Sequence, residues 1–518
     1  MISKFLKKIT YQANRLVNYL ENLDKPFSYF ILTFVFIIAL RTLLELFAYN
    51  YFLVARHTLA YYLWFIVLAI SVILIAYLAT KESILKISKV VLSGFCLLVI
   101  PPLVDFFLTC MGEKAVLTYL WPETHKNLAL LFLTFGGPLT ESGMTLGLRV
   151  ELILALLAAF IYFYIKNNHI FKSLFFTFLI YTVVFFLIAT PFILENVPLL
   201  LRGIFKIDHT ALRTYYFLFL ITVLAIPLFY LAHNRLFKLI WRNLRFSRVL
   251  HYELMFLLGV VLSLRTPLAK IPGLPENIFV LTENNLAFLI FTPFIILCSF
   301  TFAVIINDIE DYQIDLISNK ERPLIKRSVS LATYRKISWA FFAIALTYSL
   351  IINFRLFFIA LLMMGIYFLY SAPPLRFKRV PIFSKLAISF NSLILVILGL
   401  MAMKRLIIPQ PDVIIFFLSF TLSANFIDLK DYAGDKEAGI KTLPTIVGLK
   451  KAKLYIGLFF ILNYLLLTRF VKEWYFAVPF ALLGLFQFYL INRKNYQEKY
   501  VLYFYLLTVS SFIIYLIP

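Results

Sequence analysis

The chain has 518 residues, of which 62% are hydrophobic, 18% aromatic and only 14% charged. That balance excludes an ordinary soluble globular domain and points to a multi-spanning membrane protein. The net charge of +23 is no sign of nucleic acid: the basic residues sit in short clusters between apolar runs, as the positive-inside rule requires, and no base-reading module is visible.

Residues 1–26 carry Lys4, Lys7, Lys8, Arg15 and Lys25, which assigns this end to the cytoplasm and suits an amphipathic surface helix. The pattern of a cleaved signal peptide is missing, so this segment is expected to remain in the mature protein. Candidate spans follow at 27–49, 59–80, 88–110, 147–166, 172–194 and 211–232. The apolar run 128–140 is too short to cross and contains Gly136, Gly137 and Pro138, which reads as a re-entrant or interfacial piece. A few charges stand at membrane depth: Arg41 and Glu45, four apart on one helical face, then Asp105, Arg149 and Glu151. Helix-to-helix pairing is the plainer explanation for them, and a functional role the alternative. Nothing in residues 1–235 resembles a known family.

Six crossings return the chain to the cytoplasm, where Arg235, Lys238, Arg242, Arg245 and Arg248 cluster. Further apolar runs lie at 250–266, 286–307, 331–352, 355–371, 382–404, 411–427, 452–469, 474–491 and 499–517. Loops on the side of Lys326, Arg327, Lys378, Arg379, Lys436, Lys450 and Lys451 hold most of the basic residues, and those around Arg355, Lys404 and Arg405 hold few. This bias orients the spans with the first side cytoplasmic. The division expected is a membrane domain over 1–235 and a second one over 236–518.

Two cytoplasmic span ends carry repeated acids. The first reads NDIEDYQID from Asn307 to Asp315, with Asp308, Asp311 and Asp315 at i, i+3 and i+7. The second reads DLKDYAGD, with Asp428, Asp431 and Asp435 at the same spacing. A continuing helix places each triad on one face. A single such triad is more often a solvated helix end. Two of them, each followed by bases (Lys320 and Arg322; Lys436 and Lys441) and joined by the loop YSAPPLRFKR from Tyr370 to Arg379, suit divalent metal and a phosphorylated substrate. Cys96, Cys110 and Cys298 lie in apolar runs and read as small buried hydrophobes, and the six histidines are scattered without ligand spacing.

NDIEDYQID followed by NKERPL, then YSAPPLRFKR, then DLKDYAGDKEAGIKTLPTIVG resembles the UbiA superfamily of intramembrane prenyltransferases, over about residues 240–518. The resemblance implies an all-α polytopic membrane protein with a nine-helix prenyltransferase bundle; residues 1–235 lie outside the resemblance, and their apolar runs add an extra bundle of about six transmembrane helices before it. It implies two Mg²⁺ ions held by Asn307, Asp311, Asp315, Asp431 and Asp435, with Asp308 and Asp428 as supporting or alternative ligands. It further implies that Arg322, Lys378 and Lys441, and less directly Arg245, hold a prenyl diphosphate, beside Tyr370. The allylic cation needs a dry aromatic pocket, for which Phe300, Phe302, Tyr367, Tyr370 and Phe390 are candidates. The partners expected are a prenyl diphosphate, a hydrophobic acceptor (an aromatic ring or an alcohol) and the lipid bilayer, with no nucleic acid. A divalent-cation or lipid-linked transporter is the competing reading, but it calls for acids near the bilayer midplane on broken helices. A phosphatidyltransferase needs a single DGxxAR…GxxxDxxxD signature, which does not occur.

Overall fold

The computed structural model describes residues 2–49, 55–110, 128–135, 144–196, 209–265, 283–403, 410–437, 439–471, 475 and 477–517. Every regular element among them is a helix. Among the described residues fourteen stretches are long and apolar enough to cross a membrane, and large apolar side chains such as Phe36, Phe171 and Ile514 stay exposed on them. In water such a surface drives aggregation, whereas in lipid it is ordinary. The chain is an integral multi-pass membrane protein. It divides into two compact units, Met1–Phe237 and Lys238–Pro518.

The first unit holds six of the spans, Phe27–Ala48, Leu59–Thr80, Ile84–Leu108, Leu146–Asn167, Ile170–Ile188 and Ala211–Ala232. The third is interrupted by a tighter turn at Phe95–Val99 before the helix Ile100–Cys110, which starts on Pro101 and Pro102, where a missing N–H costs nothing. The amphipathic helix Ile2–Asn22 puts Val17 into a core with Ile73, Ile87 and Phe163 and leaves Tyr11 and Tyr19 exposed. The 128–140 run contributes the helix Leu128–Leu133, while Gly136, Gly137 and Pro138 lie outside the described residues. Cys298 is buried as expected, but Cys96 and Cys110 are exposed, because their helix faces turn outward from the unit.

Charges at membrane depth are paired here. Arg41 meets Glu45 at 2.8 Å and Glu151 at 2.9 Å, and the Tyr61 hydroxyl donates to Glu45 at 2.9 Å. At the span ends, outside that depth, Lys166 joins Glu21 at 2.7 Å and Glu82 at 3.1 Å. Asp105 accepts from the Gly147 amide at 2.8 Å and from the Thr145 hydroxyl, tying down the start of the helix Leu146–Asn167. Breaking a buried pair of this kind costs several kcal/mol, typically about 3–5.

The second unit holds the other eight spans, Phe246–Leu264, Asn285–Glu310, Leu331–Ile352, Phe354–Ser371, Ile382–Ala402, Pro411–Glu437, Leu449–Phe470 and Glu498–Leu516. The run expected at 474–491 gives a shorter apolar helix, Val478–Asn492. Asn353 closes one helix, its N–H donating to the Ser349 carbonyl at 2.9 Å, and opens the next by accepting from the Arg355 amide at 2.8 Å. Helices Phe246–Arg265 and Pro381–Ala402 cross at two glycines. A Cβ on Gly259 would fall 2.0 Å from the Val396 carbonyl oxygen, and one on Gly399 2.1 Å from that of Phe256. Only small residues allow backbones this close.

Candidate active site

The first motif lies where the helix Glu283–Glu310 gives way to the short helix Tyr312–Ser318, with Asp311 at the break. Backbone bonds run from the Asp311 amide to Asn307 (2.9 Å) and from the Asp315 amide to Asp311 (2.8 Å). The residues that share a face are therefore Asn307, Asp311 and Asp315, each four apart, and all three line one cavity. The expectation that Asp308 shares this face is corrected: at 100° per residue it lies to one side, and it turns into the protein.

Asp308 is 1% exposed. One of its oxygens takes Arg245 at 2.7 Å and lies 3.5 Å from Arg322. The other accepts from the Tyr334 hydroxyl and from Asn243, each at 3.0 Å. Arg245 and Arg322 line the cavity and Asp308 does not. Burial lowers the Arg245 pKa to about 10, against the pull of Asp308. Arg322 also stands 3.8 Å from Asp315, whose carboxyl is pushed up by burial, with Arg322 opposing.

The second motif follows a tight turn at Ala424–Ile427 and opens the helix Asp428–Glu437. Asp428, Asp431 and Asp435 all line the same cavity. Lys385 binds Asp428 at 2.5 Å, and Lys430 lies 3.9 Å from Asp431 and 3.3 Å from Glu498. Glu498 in turn holds Arg248 at 2.9 Å. From the intervening loop, Lys378 contacts Asp311 and Arg376 reaches it at 3.3 Å. Burial lowers the Lys378 pKa to about 8, with Glu310 working the other way.

The cavity, of about 220 Å³, thus gathers both motifs with Arg245, Arg322, Lys378 and Tyr370. Lys441 is exposed and outside the lining. Of the proposed aromatic walls, Phe300, Tyr367 and Tyr370 line it, whereas Phe302 packs against Trp339 and Phe342 and Phe390 is 43% exposed. Sequence reasoning passed over His251, Arg248, Lys385 and Lys430, which also line it. Lys385 had a signal, as an ionisable residue inside an apolar run.

Divalent metal suits this donor set. Asp315 Oδ2, Asp428 Oδ2 and Asp431 Oδ1 are buried and accept no hydrogen bond. Among the described residues no three His, Cys, Asp or Glu side chains form a ready-made cage. Mg²⁺ does not need one, since it is ordinarily held by one or two carboxylates with substrate phosphates and water.

The UbiA prenyltransferase family model matches residues 280–509. Digeranylgeranylglyceryl phosphate synthase of Thermococcus gammatolerans is 32% identical over 200 residues, covering 38% of this chain and 71% of that protein. Its counterpart in Thermococcus sibiricus is 33% identical over 158 residues, covering 30% of this chain and 54% of that one. The chloroplastic 2-acyl-4-prenylphloroglucinol 6-prenyltransferase of Humulus lupulus is 28% identical over 245 residues, covering 40% and 58%. The chain thus spans little more than half the length of the second and third of these relatives. Among solved structures, a UbiA homologue from Archaeoglobus fulgidus bound to DMAPP and Mg²⁺ aligns with a TM-score of 0.42 at 20% identity, covering 54% of this chain and 97% of that one. On the length and identity of the first match, this chain belongs to the UbiA prenyltransferase family and is a membrane prenyltransferase.

Proposed function

We propose that the second unit transfers a prenyl group from an allylic prenyl diphosphate to a hydrophobic acceptor, with Mg²⁺, at the cavity between the two aspartate motifs. The observation that carries this reading is the convergence of both motifs on one cavity with basic side chains, Arg245, Arg322 and Lys378 among them, and aromatic rings that include Phe300, Tyr367 and Tyr370. Asn307, Asp311, Asp315, Asp431 and Asp435 would hold the metal, with Asp428 beside them. Bound there, Mg²⁺ neutralises charge on the departing diphosphate and lowers the barrier to ionisation. Arg245, Arg322 and Lys378 orient the phosphates, as cationic donors do. Phe300, Tyr367 and Tyr370 keep water away from the allylic carbon and offer π faces to its developing charge.

The names of the relatives favour a prenylated glyceryl phosphate as acceptor, with a phenolic ring as the second choice. The loop charges support a cytoplasmic position for both motifs, and the first unit is a separate bundle whose role lies outside the chemistry. Acids at span ends beside phosphate-type bases count against a transporter. The test is incubation of purified protein in detergent with Mg²⁺, labelled geranylgeranyl diphosphate and either geranylgeranylglyceryl phosphate or homogentisate. The expected product has the acceptor mass plus one prenyl unit. Intact donor with both acceptors would refute the reading.

A further inference from the structure

The cavity has a polar cluster that neither the metal nor the diphosphate accounts for. His251 lines it with Ser392 and Tyr505. His251 Nε2 lies 3.1 Å from Ser392 Oγ, and Nδ1 lies 3.4 Å from the Tyr505 hydroxyl. The three come from three different spans, Phe246–Leu264, Ile382–Ala402 and Glu498–Leu516.

Their position relative to the charged rim is the telling feature. Arg248 and Glu498 pair at 2.9 Å, and Lys385 pairs with Asp428 of the second motif. His251 lies three residues further along its helix than Arg248. Ser392 lies seven beyond Lys385, and Tyr505 seven beyond Glu498. Each member thus sits about one or two turns, some 5–10 Å, inward of the rim. A donor whose diphosphate is held by Arg245, Arg322 and Lys378, which stand at the same ends of the spans as this rim, has its allylic carbon one bond away. The attacking acceptor atom must lie about 3–3.5 Å from that carbon, which falls in this layer.

We propose that His251, working through Ser392 and Tyr505, takes the acceptor's proton, and that the group it receives is a hydroxyl; this rests on the prenyl-transfer reading above. The donor's C1–O bond breaks with its electron pair leaving on the diphosphate. The acceptor oxygen forms the new C1–O bond. Its proton passes to Ser392 Oγ as the Ser392 proton moves to Nε2, while Nδ1–H stays bonded to the Tyr505 oxygen. The imidazolium gives up the proton to water as the products leave. Histidine suits the task because one ring nitrogen can accept a proton while the other keeps its N–H bonded. A hydroxyl can extend this hydrogen-bonded chain by one link, whereas a ring C–H cannot.

The test uses full-length protein, geranylgeranyl diphosphate, Mg²⁺ and two acceptors, geranylgeranylglyceryl phosphate (hydroxyl) and homogentisate (ring). Wild type is expected to prenylate the hydroxyl acceptor. His251→Gln should lose turnover by about 10²-fold or more, with donor affinity, read by equilibrium binding, within twofold of wild type. His251→Ala should regain turnover with added imidazole, which a packing role does not explain. Turnover in His251→Gln within threefold of wild type, or an equal loss of donor binding, overturns the proposal. Wild type that uses homogentisate alone overturns it while leaving prenyl transfer standing. Transfer to neither acceptor refutes the functional reading and this inference with it.

Discussion

Two acids one helical turn apart, Asp308 and Asp311, differ in what they meet, Asp308 turning into the protein and Asp311 lining the cavity, and that difference sets their expected phenotypes. Asp308 is enclosed by Arg245, Arg322, Tyr334 and Asn243 and holds two arginines that line the cavity. Asp308→Asn should therefore raise KM for the prenyl diphosphate by about tenfold or more with a smaller change in kcat, and lower the melting temperature, since it leaves buried guanidinium charge uncompensated. A large fall in kcat at unchanged KM would show Asp308 acting on the reacting atoms instead. Lys378 and Lys441 make a similar contrast. Lys378→Ala should raise KM for the donor about tenfold, while Lys441→Ala, at an exposed side chain outside the cavity, should leave it within twofold. Initial-rate kinetics at fixed Mg²⁺ separates the two. The motif spacing made the acids and bases legible in the sequence. Which of them face the cavity was not, because Asn307 and Asp308 both stand one turn before Asp311, and contacts with Arg245, Tyr334 and Asn243 draw Asp308 inward.

At the scale of elements, hydrophobic runs located most spans within a few residues, since length and apolar content are what a bilayer selects. Contacts between spans were not legible. The pairing of Arg41 with Glu45 follows from their four-residue spacing, but Glu151, which completes it, is distant in sequence and carries no such sign. The crossing at Gly259 and Gly399 is similar, for neither glycine announces its partner. Gly259→Ala should drive the two helices apart and cost about 1–3 kcal/mol, as overpacking does. Because those helices carry His251 and Ser392, turnover should fall with it. A thermal-shift measurement in detergent showing unchanged stability for Gly259→Ala would contradict the close crossing.

For the whole molecule, the sequence indicated two parts through the basic segment around residues 233–249. The structure divides into Met1–Phe237 and Lys238–Pro518. A chain starting at Asn234 keeps Asn243 and Arg245, the partners of Asp308, and should retain measurable prenyl transfer. Complete loss in a well-folded truncation would show that the first unit helps build the site. Orientation is tested by cysteine labelling in sealed vesicles: positions 326 and 436 should react from the cytoplasmic side alone, and position 405 from the other side alone. Labelling of all three from one side would overturn the topology.

The two motifs are proposed to serve one diphosphate through shared metal, so their members should fail together. The most direct measurement is Mg²⁺-dependent turnover of labelled prenyl diphosphate by Asp311→Asn, Asp435→Asn and the double variant, with Asp412→Asn, in the first turn of the helix Gln410–Ser423, as the control. Each single change should remove about 10²-fold of turnover or more, with the double variant little worse, because groups acting as a unit are non-additive. Near-normal turnover in Asp311→Asn would contradict the account.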